Sequence, residues 1–174
     1  NRKRVVFCVV TGRRFHSALA VQKNNGVPLP DDVISGLGTR IHYGSTLTED
    51  THRADHVDHD RKDSRIRRVL ADAPGLNLQP KATQSRLMLS WYYDPASAPS
   101  AADIVALLHP KDLTATVNVS FGQFLDEIPA RASKGQALRY AALRLGIPLE
   151  QILAAGGSGA DEDMIRGNTL GVVV

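Results

Sequence analysis

Two stretches of the chain decide the fold: Ser133-Lys134-Gly135-Gln136-Ala137-Leu138 and Gly156-Gly157-Ser158-Gly159-Ala160-Asp161. In the first, a serine followed by a glutamine three positions later is a capping pattern. An apolar face of helical period follows it, so this stretch predicts a helix that ends at Gly146. The second is a glycine loop after the apolar, strand-like run 152–155. Strands and helices that alternate in this way predict an α/β fold with a doubly wound parallel sheet.

The N-terminal part of the chain continues this pattern. A continuous apolar run, 5–10, ends at Thr11-Gly12 and predicts a strand buried on both faces. Residues 15–25 predict the helix that follows, and two apolar stretches around Gly36-Leu37-Gly38-Thr39 predict a small hairpin. Because ligands bind beyond the carboxyl ends of parallel strands, we expect Thr11 and the glycine loop to line one crevice.

The middle of the chain has a different composition. Residues 51–70 are strongly charged and predict one surface helix, and 87–93, 101–108 and 113–121 predict a strand, a helix and a strand. These elements indicate a small α/β unit with antiparallel character. We therefore predict a core made of residues 1–45 and 129–174, with residues 46–128 inserted into it.

Composition excludes several classes of protein. The 174 residues carry a net charge of +3 with basic and acidic residues interleaved, which argues against a nucleic-acid surface. No run of about eighteen apolar residues and no signal peptide is present, so no membrane partner is expected. Cys8 is the only cysteine, which rules out an internal disulfide and favours a cytoplasmic location.

Four residues suit phosphoryl chemistry. The Thr11 hydroxyl and the Gly12 amide, directly after a strand, can hold a phosphoryl oxygen. Lys134 at a helix start favours a bound anion. Asp161 after the glycine loop is a hard oxygen ligand of the kind that Mg²⁺ takes, although it could also merely cap the next helix. Asp163 is expected to be a surface residue of that helix.

Two other groups of residues have both a functional and a plain interpretation. His52, His56 and His59 would share one helix face and could bind zinc, but a solvated helix explains them as well. In the aromatic stretch Trp91-Tyr92-Tyr93, alternate side chains of a strand would share a face. They could stack on a sugar ring or form part of a core.

Four segments together carry a family resemblance. They are Thr11-Gly12-Arg13, Gly38-Thr39-Arg40-Ile41, the run from Pro129 to Tyr140 and the run from Gly156 to Met164. They closely resemble sucrose-6-phosphate phosphatases of the haloacid-dehalogenase superfamily, which carry a Cof-type α/β cap. A similar domain forms the C-terminal part of many sucrose-phosphate synthases.

The resemblance implies a role for each of these residues. Thr11 matches the catalytic phosphate-binding residue of the second motif, with Gly12 beside it. Lys134 matches the catalytic lysine that neutralises phosphate and nucleophile, and Asp161 matches an acidic residue that helps to hold Mg²⁺. Residues 46–128 would be the cap, where the family recognises the sugar.

The chain departs from the family pattern in two places. The family's first strand carries an Asp-x-Asp pair that includes the nucleophile, and no such strand precedes Val5. The chain opens without methionine and stops inside an apolar run, so we expect a piece of a longer polypeptide. Gly157 stands where family members that hydrolyse phosphate usually have aspartate. Loss of that carboxylate predicts weak Mg²⁺ binding and little turnover.

These departures lead to two interpretations. The preferred one is a catalytically degenerate, phosphatase-like domain of a sucrose-phosphate synthase in sucrose biosynthesis. It would bind or regulate through the glycosyltransferase domain of the same polypeptide or a separate sucrose phosphatase. The alternative is an active Mg²⁺-dependent phosphohydrolase of sucrose-6-phosphate or another sugar phosphate.

Overall fold

The computed structural model describes residues 5–59 and 61–174, which contain ten strands and six α-helices. The strands are β1 (Cys8–Val10), β2 (Asp32–Ser35), β3 (Arg40–Tyr43), β4 (Thr48–Glu49), β5 (Leu76–Leu78), β6 (Leu89–Tyr93), β7 (Ala115–Ser120), β8 (Phe124–Pro129), β9 (Leu153–Gly156) and β10 (Leu170–Val173). The helices are α1 (Phe15–Asn24), α2 (Thr51–Asp58), α3 (Asp63–Ala71), α4 (Ala101–Leu108), α5 (Lys134–Leu145) and α6 (Glu162–Ile165). Among the described helices, none is both long and apolar enough to cross a membrane.

The core contains parallel strands, but its main sheet is mixed rather than parallel throughout. β1 pairs with β2 in parallel, and β9 pairs with β10 in parallel in a second sheet. β3 and β4 continue the first sheet in antiparallel fashion. The reason is the short connection between β2 and β3, because a tight turn can join only antiparallel neighbours whereas a parallel pair needs a crossover.

Helix α5 connects the two core sheets. Ile34 and Ile41 from the first sheet and Ala154 from the second pack in one cluster with Ala137 and Ala141 of α5. No backbone hydrogen bonds join β1 to β9 in the part of the chain that the structure describes. β1 is accordingly only half-buried, not buried on both faces as its apolar run predicts.

Strands β5 to β8 form a separate antiparallel sheet in the order β5-β6-β8-β7, which we call the cap sheet. One face of it packs on α3 and α4 around the fully buried Trp91. Tyr92 points to the opposite face and is 48% exposed. The alternation predicted for the aromatic stretch is thus confirmed, and Trp91 is a core residue.

The structure changes two details of the middle segment. The charged stretch 51–70 forms two helices rather than one, because α2 ends at Asp58 and the backbone at Lys62 is not helical. β4 lies inside the range 46–128 but pairs with β3 of the main core sheet. The cap sheet itself begins only at Leu76.

Candidate functional site

The loop after β1 places Thr11 at the carboxyl end of the main sheet. The Thr11 amide donates to the Ile34 carbonyl at 2.9 Å, and the Thr11 carbonyl accepts from the Leu37 amide at 3.1 Å. The Thr11 hydroxyl oxygen accepts from the Arg13 amide at 3.1 Å, which leaves the hydroxyl hydrogen free to donate. Gly12 lies against Leu37, since a Cβ atom at Gly12 would be 3.1 Å from that side chain.

The turn between β2 and β3 lies directly against the start of α5. Gly36, Leu37 and Gly38 all have positive φ angles. A Cβ atom at Gly38 would lie 2.1 Å from the Ser133 carbonyl oxygen and 3.0 Å from the Lys134 amide nitrogen. Glycine at position 38 therefore lets the backbone of this turn pack directly against the backbone at Ser133 and Lys134. Since Leu37 of the same turn hydrogen-bonds to Thr11, the turn lies between the Thr11 loop and the lysine.

This approach gives a stability prediction with a matched control. We expect Gly38→Ala to lower the free energy of unfolding by about 2–4 kcal/mol, because the methyl group meets backbone atoms and the φ of +91° is unfavourable for alanine. Gly44→Ala is the control, since its φ is +71° and nothing lies within 4 Å of the added carbon. Its cost should be the conformational penalty alone, about 1 kcal/mol. Urea denaturation measures both values, and equal losses would contradict the close approach.

Lys134 and Asp161 form a buried ion pair. Lys134 is the first residue of α5, its side chain is largely buried, and its Nζ donates to Asp161 Oδ1 at 2.5 Å. The other oxygen, Asp161 Oδ2, accepts from the Ser158 amide, the Ser158 hydroxyl and the Gly157 amide at 2.9, 2.7 and 3.2 Å. Burial raises the pKa of Asp161, but the hydrogen bonds from Lys134 and Ser158 more than offset this and hold the pKa below its usual value.

The described residues do not by themselves fit a Mg²⁺ ion. Both oxygens of Asp161 already accept hydrogen bonds within the protein, and Gly157 supplies no carboxylate. No cluster of three or more potential metal ligands occurs among residues 5–59 and 61–174. A hard divalent cation needs several oxygen ligands, so further carboxylates would have to come from outside this set.

Asp163 is a residue beside the site whose contacts the sequence did not predict. It is half-buried, not a surface residue as expected, and both of its oxygens accept from the Gly135 amide at 3.1 Å. It also accepts a hydrogen bond from the Ser133 hydroxyl at 2.5 Å. Asp163 thereby fixes the start of α5 and with it Lys134. The one hint of this contact in the sequence is the glycine at position 135. A Cβ atom there would lie 2.5 Å from Asp163 Oδ2, so a larger residue would not fit.

A crevice lies between the lysine and the cap sheet. It has a volume of about 480 Å³ and is lined by Ser133 and Lys134 of the core, by Gly159 of the glycine loop, and by Thr116 and Asn118 of β7. Thr116 and Asn118 belong to the face of the cap sheet opposite to its apolar core, because alternate residues of a strand share a face. The crevice thus has Lys134, the partner of Asp161, on one side and polar residues of the cap sheet on the other. Gly159 of the glycine loop lines it but Thr11 does not, so this crevice is not the one expected to join Thr11 to the glycine loop.

The three histidines of the middle segment do not share one helix face, which the zinc alternative required. His52 and His56 lie on α2, but α2 ends at Asp58 and His59 has a non-helical backbone. Helical spacing therefore does not extend to the third histidine.

The same polar face of the cap sheet continues beyond the crevice. Ser90 and Asn118 are the cross-strand partners of Asp126 on either side. The Ser90 hydroxyl donates to Asp126 Oδ1 at 2.6 Å, and burial raises the pKa of Asp126 while this hydrogen bond lowers it in part. Tyr92 and Phe124 pair in the next row, with ring centroids 6.3 Å apart. The face combines hydrogen-bonding groups with aromatic surface.

Comparison with known proteins agrees with this arrangement. The sequence profile described as sucrose-6F-phosphate phosphohydrolase matches residues 1–174. The chain belongs to this family. The structure of the family member sucrose-phosphatase from Synechocystis sp., in complex with sucrose and phosphate, superposes with a TM-score of 0.88 at 27% identity, over 96% of this chain and 68% of that one. A haloacid dehalogenase-like hydrolase from Bacillus subtilis, 15% identical with a TM-score of 0.60, shows the same haloacid-dehalogenase-like fold.

Curated relatives extend the family comparison. Mannosylfructose-phosphate phosphatase from Agrobacterium fabrum is 29% identical over 98% of this chain and 69% of its own length. A probable sucrose-phosphatase from Arabidopsis thaliana is 29% identical over 83% of this chain. The chain spans 35% of that plant protein's length. The family and these relatives are named as phosphatases and none as a synthase, so the expected synthase domain finds no support here.

Proposed function

We propose that the chain is the catalytic core and cap of an active phosphohydrolase that acts on a phosphorylated disaccharide such as sucrose-6-phosphate. The observation that carries the proposal is the buried Lys134–Asp161 pair at a crevice whose other wall is the polar cap sheet. A phosphate monoester is an anion attached to a polyhydroxyl body. The crevice offers an ammonium group to the first part and amide and hydroxyl groups to the second.

The residues at the carboxyl end of the main sheet would bind the phosphate group. The Thr11 hydroxyl and the Gly12 amide can each donate to a phosphoryl oxygen, and Lys134 would neutralise the charge that develops during transfer. Asp161 holds the lysine side chain in place through the 2.5 Å hydrogen bond. Asp163 positions the same lysine through the Ser133 and Gly135 contacts.

The polar face of the cap sheet would bind the sugar. Asn118 lines the crevice, and the row that contains Ser90 and Asp126 continues from it. Carboxylate and amide groups of this kind recognise sugar hydroxyls, and the exposed ring of Tyr92 offers an apolar face to a pyranose. The substrate therefore contacts both the core and residues 46–128, which we propose as the cap.

We further propose that the nucleophile lies on a strand outside the described residues. Within residues 5–59 and 61–174, β1 and β9 pack on the same helix, α5, without pairing with each other, and each has one edge that forms no ladder. Backbone groups of core strands are normally paired, so a parallel strand between them would complete a single sheet. Its carboxyl end would adjoin Thr11 and the glycine loop, where an Asp-x-Asp pair would supply the nucleophile and the missing oxygen ligands.

The setting that we propose is the cytoplasm. Cys8 is a free cysteine. Burial, with a smaller contribution from Asp32, raises the pKa of its thiol to about 12, so the group stays protonated and unreactive at neutral pH.

Gly157 favours a second candidate function, in which the domain binds a sugar phosphate without turnover. One assay separates the two candidates: phosphate release from sucrose-6-phosphate by the full encoded polypeptide, with Mg²⁺ varied. Mannosylfructose phosphate and glucose 6-phosphate serve as comparison substrates. The active enzyme predicts release from at least one disaccharide phosphate in preference to glucose 6-phosphate. Binding without any release would overturn the phosphatase proposal.

The variant Gly157→Asp is the matched test of the metal site. We expect it to lower the Mg²⁺ concentration for half-maximal rate by about 10–100-fold, because it restores a carboxylate beside Asp161. A Cβ atom at Gly157 would lie 2.5 Å from the Val174 carbonyl oxygen, so Val174, directly after β10, must shift. The Gly159→Asp variant is the control, since its added carbon meets nothing within 4 Å. An equal gain in both variants would show a nonspecific charge effect.

A further inference from the structure

A second cavity, separate from the crevice, lies at the start of α1. It has a volume of about 460 Å³ and is enclosed by α1, by one face of the main core sheet and by the segment 82–88. Its lining includes the polar residues Arg14, Ser35, Arg40, His42 and Glu49. This cavity shares no lining residue with the crevice at Lys134. The function proposed above makes no use of it.

Two buried polar side chains line this cavity, and one polar atom of each lacks a hydrogen-bond partner among the described residues. Ser35 is 0% exposed and His42 is 6% exposed. The Ser35 hydroxyl oxygen and His42 Nδ1 are buried and have no hydrogen-bond partner among the described residues. Buried polar atoms in folded proteins almost always have a partner. The two orphaned atoms therefore indicate a ligand that the cavity receives.

The sheet register brings these two atoms to the same wall. Ser35 is the partner of Arg40, and Val33 is the partner of His42, so Ser35 and His42 share one face of the β2–β3 pair. The His42 ring is held by Phe15, the first residue of α1, in a stack with centroids 3.7 Å apart and planes 8° apart. The orphaned atoms are thus fixed next to the N-terminal end of the helix.

The electrostatics of the cavity favour an anion. α1 has no side-chain cap and no acidic residue in its first turn, and no described group accepts from its first-turn amides. Arg14 and Arg40 both line the cavity, and Arg14 Nη1 donates to the Ala82 carbonyl but has no carboxylate partner among the described residues. Glu49 is the one acidic lining residue in the described chain, and it is paired with Arg40. A positive helix end with a surplus arginine stabilises negative charge.

We propose that this cavity is a second oxyanion site, which binds the phosphate group of inorganic phosphate or of a phosphate ester. The α1 amides and Arg14 neutralise the charge, the Ser35 hydroxyl donates to one oxygen, and His42 Nδ1–H donates to another. Burial lowers the pKa of His42, so the ring is neutral at pH 7 and can carry its single proton on Nδ1. The volume has room for a phosphate group together with water or part of a sugar.

An amide NMR titration with inorganic phosphate tests the proposal. We expect saturable shifts of the His16 and Ser17 amides in the wild-type protein. The variants Ser35→Ala and His42→Phe should each weaken that affinity by about tenfold, because each removes one hydrogen bond to a charged group. Ser35→Ala removes an unpartnered hydroxyl and should not destabilise the fold. His42→Phe keeps the stack on Phe15.

Two further arms separate this site from the crevice and separate the two sources of phosphate. Lys134→Met should leave the His16 and Ser17 titration unchanged while it removes phosphate binding in the crevice. In the second arm, sucrose-6-phosphate replaces inorganic phosphate. Shifts of the same amides with either ligand support the site, and the ligand that binds more tightly shows whether the site takes free phosphate or a phosphate ester. No saturable shift with either ligand at millimolar concentration would overturn the proposal. The proposal would also be overturned if Lys134→Met lowered the phosphate affinity reported by the His16 and Ser17 amides while Ser35→Ala and His42→Phe left it unchanged.

Discussion

Lys134→Met is expected to lower kcat/KM for sugar-phosphate hydrolysis by about 10²–10³-fold. The loss corresponds to removal of one preorganised positive group from a site where negative charge develops. Methionine keeps the length and apolar character of the lysine stem, so packing at the start of α5 changes little. The effect is measured by phosphate release under saturating and limiting substrate.

The same variant leaves a buried carboxylate without its cationic partner. Asp161 keeps the donors from Ser158 and Gly157, so the protein should lose stability without unfolding. The double variant Lys134→Met/Asp161→Asn removes that charge and should recover stability but not activity. Lys62→Met is the control, since Lys62 pairs with the exposed Asp112 and neither residue lines the crevice. A loss of activity smaller than tenfold in Lys134→Met would contradict the catalytic role of Lys134. Recovery of activity in the double variant would contradict it as well.

The sequence predicted the elements that depend on local patterns. α5 begins at Lys134 after its serine cap and ends at Gly146, which takes the left-handed conformation as a terminal glycine should. The Thr11 turn and the glycine loop likewise follow directly from apolar runs that stop at glycine. In each case the sequence pattern lies within about fifteen consecutive residues. A single sequence is therefore enough to predict these elements.

Contacts between distant segments were not predictable in the same way. The link from Asp163 to Ser133 and Gly135 joins residues about thirty positions apart, and nothing local in the sequence around Asp163 distinguishes it from a surface helix acid. The mixed sheet has a similar origin. The pattern around Gly36 predicted the hairpin. The alternation of strands and helices in the rest of the chain predicted a parallel sheet, so it did not indicate that this hairpin extends the core sheet.

The buried pair of Glu127 and Arg61 is a further long-range contact that the sequence concealed. Glu127 lies on β8, is 0% exposed, and pairs across the sheet with Leu89 and Val117 on the apolar side of the cap sheet. Arg61 donates to both of its oxygens, at 3.1 and 2.9 Å, from the connection between α2 and α3. The arginine side chain is itself only 3% exposed. Glu127 depends on the arginine because it has no contact with bulk water, whereas Arg61 also pairs with Asp63.

Arg61→Ala is therefore expected to lower the free energy of unfolding by about 3–5 kcal/mol at pH 8, because it leaves the buried Glu127 carboxyl group without its cationic partner. Burial raises the pKa of Glu127 to about 7 and Arg61 opposes this rise, so the variant's pKa should lie higher still. The unfolded chain has its pKa near 4.3. Between the two values the folded state binds more protons, so stability falls as pH rises through this window. The destabilisation by Arg61→Ala should consequently be smaller at pH 5 than at pH 8.

Urea denaturation at the two pH values measures this difference, with two control variants. Arg67→Ala, on the exposed side of α3, should change stability little at either pH. Arg61→Met/Glu127→Leu replaces both charges with apolar groups and should recover most of the lost stability, because desolvation of two ions offsets much of their mutual attraction. That recovery would show that the cap fold needs a matched pair at these positions rather than charge as such. A double variant as unstable as Arg61→Ala would instead show that the arginine stabilises the segment between α2 and α3 through contacts other than Glu127.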